Sequence, residues 1–249
     1  GCPKSEAKRR AAWLKLTQRT RIAIRKMHRQ FGHAAPTVLT QLLRAARASK
    51  EFVEASQLYR CDACVENKPK PQTTKVSLPN DFVFGKHIGI DVLEIKGHSK
   101  ERYLCLNIVD LGTSFQQLVV LGKGHGTPSS KECLAAFCDR WVTWAGWPST
   151  VTTDRGLHNR GVFARTFQQH GCVVRQAGVE SPEQIGKVER HGGLLKNILK
   201  RMITDQRVNG TADIELAVAE ATQVKNSMLR NHGFSPSQWV FGTLPRGPA

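Results

Sequence analysis

Hydrophobic positions recur with two different periods along this chain, and the period changes near residue 83. Before residue 83, apolar residues fall at helical spacing among lysines and arginines, which predicts three helices. The first is one basic amphipathic helix within residues 1–27, and the next two begin at Pro36 and near Phe52. After residue 83, short runs of β-branched residues predict strands. We therefore expect a small helical module followed by an α/β domain.

The α/β part contains five predicted strands. Short connections join the first three strands, which indicates an antiparallel meander, and helical segments alternate with the last two. The predicted strands cover residues 87–95, 103–110, 115–121, 151–153 and 172–175. The predicted helices cover 129–144, 162–170, 183–204 and 211–229, with a short turn at 235–241, and Ser129 or Ser130 caps the first helix. This order predicts a mixed five-stranded α/β sheet with helices on both faces.

The stretch between the two parts, residues 66–82, contains three prolines and little apolar periodicity. Basic segments of this composition are extended and do not build a core. We therefore predict a helical domain at 1–64, a linker at 65–82 and the α/β domain at 83–249. Such a linker lets the two domains contact different parts of one extended partner.

Positive charge is concentrated in the first part of the chain. The whole chain has 37 Lys and Arg against 20 Asp and Glu, a net charge of +17. Residues 1–77 hold 17 basic and 5 acidic residues, whereas residues 78–249 hold 20 and 15. A strongly basic module beside a nearly balanced domain favours a polyanionic partner such as DNA. A solvated basic surface without a partner is the alternative that charge alone leaves open.

Neither the apolar runs nor the cysteines indicate secretion or a membrane. No apolar run approaches the ~18–20 residues that span a bilayer, and no signal-peptide pattern opens the chain. The seven cysteines are an odd number without the spacing of a disulfide framework, which favours a reducing compartment. We expect an intracellular protein that does not insert into membranes.

Four residues of the helical module have the spacing of a structural zinc site. His28 and His33 are separated by four residues, and Cys61 and Cys64 are separated by two. Two imidazoles and two thiolates fill all four positions of a tetrahedral Zn²⁺ ion. Either pair alone is common by chance, but the four together in a module with few large apolar residues predict that Zn²⁺ stabilises it. The cysteines in apolar runs are predicted to be buried small hydrophobes: Cys105, Cys133, Cys138 and Cys172.

Three acidic residues are candidates for a catalytic metal site. Asp91 interrupts a β-branched run, Asp154 follows a predicted strand, and Glu189 lies inside a predicted helix. A carboxylate within a strand costs stability unless a cation or a donor pairs with it. Carboxylate oxygens are ligands that Mg²⁺ prefers, and two such ions can activate a nucleophile and stabilise a leaving oxygen in phosphoryl transfer. The three residues are therefore predicted to bind two Mg²⁺ or Mn²⁺ ions.

Glu180 and Glu183 compete with Glu189 for the third position. Both lie where a helix begins, and acids are favoured there by the helix dipole alone. Glu189 instead shares a helical face with Lys196 and Lys200, which predicts that metal and DNA phosphates meet there. A solvated charged helix face is the alternative interpretation.

Two adjacent glycines follow in the same predicted helix. Gly192 and Gly193 weaken a helix by about 1 kcal/mol each relative to alanine. They also lack side chains, so we expect them to leave room for a DNA backbone.

In order and spacing, these motifs resemble retroviral and LTR-retrotransposon integrases. The likeness spans roughly residues 25–240 and is carried by the H-x4-H and C-x2-C pairs, Asp91, the T-D-R-G segment at Asp154 and the Q-I-G-K-V-E-R segment at Glu189. It is a likeness to integrase regions cut from a retrotransposon polyprotein. By resemblance, the α/β domain would be a ribonuclease-H-like core with these three acids as its D,D-E triad, and the helical module would be an HHCC zinc domain. Asp110, in a segment similar to the family's second strand, would be structural.

The resemblance implies a polynucleotidyl transferase that integrates DNA. Such an enzyme would process the 3′ ends of retroelement DNA and transfer them into a target duplex, working as a homo-oligomer. Its place of action would be the nucleus, or a cytoplasmic retroelement particle before nuclear entry. A catalytically decayed relative that acts only as a basic nucleic-acid-binding protein is the alternative, because Ile185 departs from the family pattern. A ribonuclease or another nuclease of the same fold is a third hypothesis, and the predicted zinc module disfavours it.

Overall fold

The chain folds as two units, Gly1–Pro69 and Lys70–Ala249. The computed structural model describes residues 5–68, 82–124, 126–154, 156, 161–176, 182–230 and 233–245, apart from the side chains of 176 and 182–185. Most of the linker predicted at 65–82 lies outside these residues.

The first unit consists, in its described part, of five short helices. They are α1 (Glu6–Lys15), α2 (Gln18–Gln30), α3 (Pro36–Ala45), α4 (Lys50–Leu58) and α5 (Asp62–Glu66). Helices of this length are marginal in isolation, so tertiary contacts must stabilise them. The buried apolar residues that join the first four helices are few: Trp13, Ile24, Leu39, Leu43 and Ala55.

The single helix predicted within residues 1–27 is wrong, because two helices occupy this stretch. The backbone between them is extended, with ψ of 151° at both Leu16 and Thr17. Thr17 Oγ1 accepts a hydrogen bond from the Thr20 amide at 3.1 Å and so caps α2. A threonine that satisfies a free amide can start a new helix without interrupting the apolar periodicity, so the pattern did not reveal the break.

The second unit is built on the predicted mixed five-stranded sheet. Its strands are β1 (His87–Lys96), β2 (Arg102–Asp110), β3 (Gln116–Lys123), β4 (Thr150–Thr153) and β5 (Val173–Gln176). Their order across the sheet is β3-β2-β1-β4-β5, with β1, β2 and β3 antiparallel and with β4 and β5 parallel to β1. The parallel pairing of β1 with β4 requires a long connection, and β2, β3 and the helical segment from Ser130 to Ala145 lie between these two strands in the chain.

Helices cover both faces of this sheet. The described ones are α6 (Ser130–Phe137), α7 (Thr143–Ala145), α8 (Val162–Gln169), α9 (Pro182–Gln206), α10 (Thr211–Met228) and α11 (Pro236–Phe241). Ser129 caps α6 in a capping box with Glu132. The helix predicted at 129–144 differs in one respect, because a π-helical turn at Cys138–Val142 separates α6 from α7. None of the described helices is both long enough and apolar enough to cross a membrane.

Alternation along β1 sends its side chains into two different helical layers. Leu93 and Ile95 belong to the core formed with α9 and α10. Ile88 and Ile90 belong to the opposite core, which contains the aromatic side chains of α6 and α8. Asp91 lies two residues before Leu93, so its side chain is on the same face of the sheet as Leu93 and Ile95. The sheet face under α9 is therefore the one that carries the predicted chemistry.

The helix α9 packs tightly on β1 because β1 has no side chain at Gly89. A methyl group at Gly89 would lie 2.1 Å from Val188 Cγ2, far inside a carbon–carbon contact. One turn later, a methyl group on Gly192 would lie 3.2 Å from Leu93 Cδ1. The expectation that Gly192 leaves room for DNA is therefore wrong, because that glycine is buried against the sheet. A methyl group on Gly193 would meet no atom within 4 Å among the residues that the structure describes.

We expect Gly89→Ala to lower the free energy of unfolding by about 1–3 kcal/mol, because the new methyl group overlaps Val188 and forces α9 to shift. Urea unfolding followed by circular dichroism measures the change. Gly193→Ala is the matched control, since its methyl group enters open space and alanine inside a helix is more stable than glycine by about 0.5–1 kcal/mol. Equal effects of the two substitutions would contradict the packing argument.

Candidate active site and metal centre

Two histidines and two cysteines converge in the first unit. His28 lies in the last turn of α2, and His33 follows in a turn where its backbone adopts a left-handed φ of 58°. The His33 amide donates to the His28 carbonyl at 2.8 Å, which fixes the turn between the two imidazoles. Cys61 directly precedes α5, and Cys64 lies within it.

The ligand atoms of these four residues all lie within 4.8 Å of one another. Cys64 Sγ is 3.3 Å from His28 Nε2 and 3.6 Å from His33 Nδ1. Cys61 Sγ is 3.4 Å from His33 Nδ1. A tetrahedral zinc ion with bonds of about 2.0 Å to nitrogen and 2.3 Å to sulfur requires nitrogen–sulfur edges of about 3.5 Å. The donor set therefore fits Zn²⁺, and the four residues predicted for it come together.

Electrostatics at this cluster favour the metal-binding form of a thiol. Hydrogen bonds at Cys61 Sγ, first from Cys64 and then from the two imidazoles, hold the pKa of the Cys61 thiol well below its usual value. The thiolate is the form that binds zinc. Tyr59 packs its ring 5.1 Å from the His28 ring. Burial raises the pKa of Tyr59 to about 12, so its hydroxyl stays neutral beside the thiolate.

The two predicted catalytic aspartates follow neighbouring positions on parallel strands. The last paired residues of β1 and β4 are Ile90 and Thr153. Asp91 and Asp154 come directly after them, and adjacent strands lie about 4.8 Å apart. Both aspartates therefore stand at the point where the pairing of β1 with β4 ends.

Glu189 lies on α9, which contacts β1, β2 and β4. Val188 packs over Gly89, two residues before Asp91. Because a helix rises about 1.5 Å per residue, Glu189 is level with the end of the β1–β4 pairing. The Glu189 side chain is exposed, since the helix turns by about 100° between Val188 and its neighbour. The three predicted acids thus come from elements that pack against one another.

The three carboxylates do not form a closed cluster. Among the described ranges of the chain, the one group of three or more His, Cys, Asp or Glu ligands found close together is the cluster of the first unit. Asp91 Oδ1 accepts from the Val92 amide at 2.8 Å, and Asp154 Oδ1 accepts from the Gly156 amide at 3.0 Å. Both aspartates offer hard oxygen donors at adjacent backbone positions, which fits a divalent cation such as Mg²⁺ by donor type.

Lys196 and Lys200, predicted to bind DNA, line a groove between α9 and the far end of β1. The groove has a volume of about 320 Å³ and also includes Lys96 and His98. The side chains of both α9 lysines are exposed. Lys196 lies two helical turns after Glu189 on the same flank of α9. Positive charge therefore continues along the helix from the level of the three acids.

Other acidic residues of this region have different positions. The buried carboxylate of Asp110 accepts from the amides of Gly85 and Thr113 at 3.1 and 2.7 Å. The Thr113 bond holds the turn between β2 and β3, and the Gly85 bond ties the segment before β1 to that turn, so Asp110 has a structural role. Burial raises the pKa of its carboxyl group. Glu180 and the side chain of Glu183 lie outside the described residues, so the choice of the third acid stays a prediction.

The four cysteines predicted to be buried small hydrophobes are packing residues, with one difference from the prediction. Cys105, Cys133 and Cys172 are buried, whereas Cys138 is only half-buried. Burial raises the pKa of Cys105 to about 12 and that of Cys133 to about 11. Their thiols stay protonated at neutral pH, which suits a small hydrophobe.

A buried polar network beside Asp91 was not predicted from the sequence. Asn107 lies directly opposite Asp91 in the β1–β2 pairing and is fully buried. Its Oδ1 accepts from Gln116 Nε2 at 2.6 Å. The Asn226 side chain of α10 binds the backbone amide and carbonyl of Gln116 at 3.0 and 2.7 Å. An asparagine inside the apolar run of β2 was the available signal, because a buried polar side chain needs a partner.

Three basic residues are also buried or half-buried near this face of the sheet. Lys225 Nζ donates to the Ser114 carbonyl at 2.5 Å, and burial lowers the pKa of Lys225 to about 7. Burial lowers the pKa of His191 well below its usual value. Burial, and then the charges of nearby basic groups, lowers the pKa of His87 to about 4. Both imidazoles are therefore neutral at pH 7, and the positive charge near the acids comes from lysines and arginines.

Solved structures with similar architecture include the following three. One is a chain of the cryo-EM structure of the simian T-cell lymphotropic virus intasome in complex with PP2A regulatory subunit B56 gamma, with a TM-score of 0.57, 18% identity, and coverage of 86% of this chain and 78% of that chain. The HTLV-2 integrase catalytic core domain in complex with magnesium matches in its trimeric form, with a TM-score of 0.51, 19% identity, and coverage of 63% and 96%. Its dimeric form matches with a TM-score of 0.51, 18% identity, and coverage of 65% and 98%.

These likenesses establish a fold like that of retroviral integrases. The mixed five-stranded sheet flanked by helices matches the integrase catalytic core, so the predicted fold class is confirmed. No family model and no curated protein matches the chain. At 18–19% identity the likeness concerns the fold, and the chemistry has to follow from the residues of this chain.

We expect removal of zinc to unfold the first unit. Its helices are short and its apolar core is small, so metal binding would contribute about 10–16 kcal/mol to folding if the two are coupled. Far-UV circular dichroism of a 1–69 fragment should lose its helical signal when EDTA is added. An unchanged spectrum in EDTA would show that the helices fold without the ion.

A substitution in the whole chain tests whether these residues bind the zinc. Cys64→Ser removes one ligand and should lower the zinc content measured by atomic absorption. Cys138→Ser is the matched control, because this half-buried thiol belongs to the second unit and lies outside the cluster. It should leave the zinc content unchanged.

Proposed function

We propose that this chain is a divalent-metal-dependent polynucleotidyl transferase that integrates retroelement DNA. The observation that carries the proposal is the position of Asp91 on β1 and of Asp154 directly after the adjacent parallel strand β4, beside the helix that bears Glu189. Carboxylates on neighbouring backbone positions can share cations. The HTLV-2 core of similar fold, whose structure is in complex with magnesium, supports the proposal.

The three acids would hold two Mg²⁺ or Mn²⁺ ions, which activate a nucleophile and stabilise a leaving oxygen. Asp91 has the fixed backbone of a central strand, whereas Glu189 projects from a helix flank and can adjust its side chain. In the first reaction, water would cleave a phosphodiester near the 3′ end of the element. In the second, the new 3′-hydroxyl would attack a phosphodiester of the target. Both reactions displace an oxygen at phosphorus, so one set of acids serves both.

The basic residues would hold the DNA. Lys196 and Lys200 stand on the flank of α9 that also carries Glu189, so phosphates bound there would lie beside the acids. The first 77 residues, with 17 basic and 5 acidic side chains, would bind a neighbouring stretch of the same DNA. Contacts of this kind position a duplex without reading its sequence.

The proposed reaction also implies more than one copy of the chain. Joining both ends of an element to one target duplex in a single event would use at least two active sites. The trimeric and dimeric forms of the HTLV-2 core support a homo-oligomer. We place this activity in the nucleus, reached from a cytoplasmic retroelement particle.

Each of the amide variants Asp91→Asn, Asp154→Asn and Glu189→Gln should abolish 3′-processing and strand transfer together. The amide keeps the shape of the side chain but removes the charge that a cation needs. Loss of several kcal/mol of transition-state stabilisation corresponds to a rate reduction of about 10²-fold or more. A labelled duplex with the terminal sequence of the element, incubated with Mg²⁺ or Mn²⁺, measures both reactions.

Matched controls separate the site from general charge effects. Asp139→Asn changes an exposed acid that pairs with Arg140 at 3.2 Å, and it should stay active. Glu180→Gln and Glu183→Gln should stay active too. If Glu183→Gln were inactive and Glu189→Gln active, the third acid would be misassigned. If the unaltered protein bound DNA but catalysed neither reaction, the proposal of a transferase would be replaced by that of a catalytically decayed nucleic-acid-binding protein.

DNA affinity should depend steeply on salt, and the α9 lysines should account for part of that dependence. Each phosphate neutralised contributes about 0.9 to the slope of log affinity against log salt concentration. We expect Lys196→Gln combined with Lys200→Gln to reduce the slope by about 1.8. Fluorescence anisotropy across a sodium chloride series measures it. Lys123→Gln is the control, because Lys123 pairs with Glu101 at 2.7 Å on the edge strand β3, and it should leave the slope unchanged.

A further inference from the structure

Asn107 stands where it could act on one of the predicted metal ligands. It lies on β2 directly opposite Asp91 on β1. Directly opposite residues of antiparallel strands point to the same face and have Cβ atoms about 4.5–5.5 Å apart. Each of the two side chains extends roughly 2.5 Å beyond its Cβ atom. The Asn107 amide is therefore within reach of the Asp91 carboxylate.

The direction of the Asn107 amide is set from the far side of β2. Gln116 Nε2 donates to Asn107 Oδ1 at 2.6 Å from β3, which borders β2 on the side away from β1. The oxygen and nitrogen of an amide diverge from one carbon atom, so the nitrogen points away from β3 and toward β1. Gln116 is itself fixed, because the Asn226 side chain binds both of its backbone groups. A chain of hydrogen bonds thus runs from α10 through β3 to Asn107.

The amide nitrogen of Asn107, at the end of this series of hydrogen bonds, has no acceptor among the described residues. Asn107 Nδ2 is buried and makes no hydrogen bond with any residue that the structure describes. A buried polar group without a partner costs about 1–3 kcal/mol, so its retention needs an explanation such as a functional role. Gly192 of α9 passes over this nitrogen, and even a methyl group there would come within 3.5 Å of it. The donor therefore sits in a narrow space between α9 and the strand that carries Asp91.

We infer that Asn107 is the positioning residue for Asp91. Its amide nitrogen donates a hydrogen bond to the Asp91 carboxylate when that carboxylate turns to bind the catalytic cation. This bond determines which oxygen faces the cation, and Asn107 itself touches neither the cation nor DNA. The inference rests on the proposed function, because it assigns Asp91 to cation binding. Removing a residue that orients a metal ligand typically changes metal affinity or activity about 10–100-fold.

Asn107→Thr and Asn107→Val form the matched pair that tests this role. Threonine and valine have nearly the same shape, and both suit a strand. Both substitutions remove the amide that Gln116 binds, so a role in folding alone predicts equal Mn²⁺ affinities for the two variants once they are folded. Threonine alone keeps a donor that can reach across to Asp91. The readout is Mn²⁺ binding to the zinc-loaded full chain without DNA, measured by electron paramagnetic resonance, with thermal unfolding to verify that each variant is folded.

We expect Asn107→Val to weaken Mn²⁺ binding by about tenfold or more, and Asn107→Thr to weaken it clearly less. Equal affinities of the two variants, or an unchanged affinity of Asn107→Val, would overturn the inference. If the valine variant does not fold, Asn107→Ser and Asn107→Ala give the same comparison with smaller side chains. Asp91→Asn separates the two proposals. Unchanged Mn²⁺ affinity in that variant defeats the proposed function, whereas lost affinity there with equal valine and threonine values overturns the role of Asn107 alone.

Discussion

The contact of Val188 with Gly89 sets the distance between α9 and β1, and the candidate site depends on that distance. A side chain at Gly89 would meet the valine at 2.1 Å, so the helix could not lie where it does. Because a helix is rigid over a few turns, this one contact also sets the height of Glu189 beside Asp91. The same contact places Lys196 beside the far end of β1. Packing at a glycine thus positions side chains that make no contact with that glycine.

The first unit depends on a different constraint. Five short helices share a small apolar core, and the exposed surface is strongly basic. Like charges on short helices oppose a compact state, and little apolar burial is present to offset them. The cluster of His28, His33, Cys61 and Cys64 ties the end of α2 to α5 across about 30 residues of chain. A bound ion would supply the stability that the apolar core does not.

Polar groups buried between α9, α10 and the sheet connect the edge of the sheet with its centre. β3 is an edge strand, and the Asn226 side chain satisfies the backbone groups that Gln116 presents there. Gln116 in turn binds Asn107 on β2, and Asn107 stands opposite Asp91 on β1. The hydrogen-bond network thus extends from the edge strand, where it satisfies backbone groups, to Asn107 beside the predicted catalytic residue Asp91. Lys225 reinforces the same region through the Ser114 carbonyl.

The order of apolar and polar residues was sufficient to predict the five strands and the helical and α/β character of the two modules. The spacing of ligand residues likewise predicted the four His and Cys residues that converge. Periodicity and ligand spacing are local properties, so they can be read from the chain. The sequence did not reveal the break at Leu16 and Thr17 or the π-helical turn at Cys138–Val142, since a cap or an extra residue in a turn leaves the apolar pattern intact. Only the tertiary structure buried Gly192 and placed Asn107 opposite Asp91. Those positions depend on which strand lies beside which and on how closely a helix approaches them, and such distances arise from contacts between residues far apart in the chain.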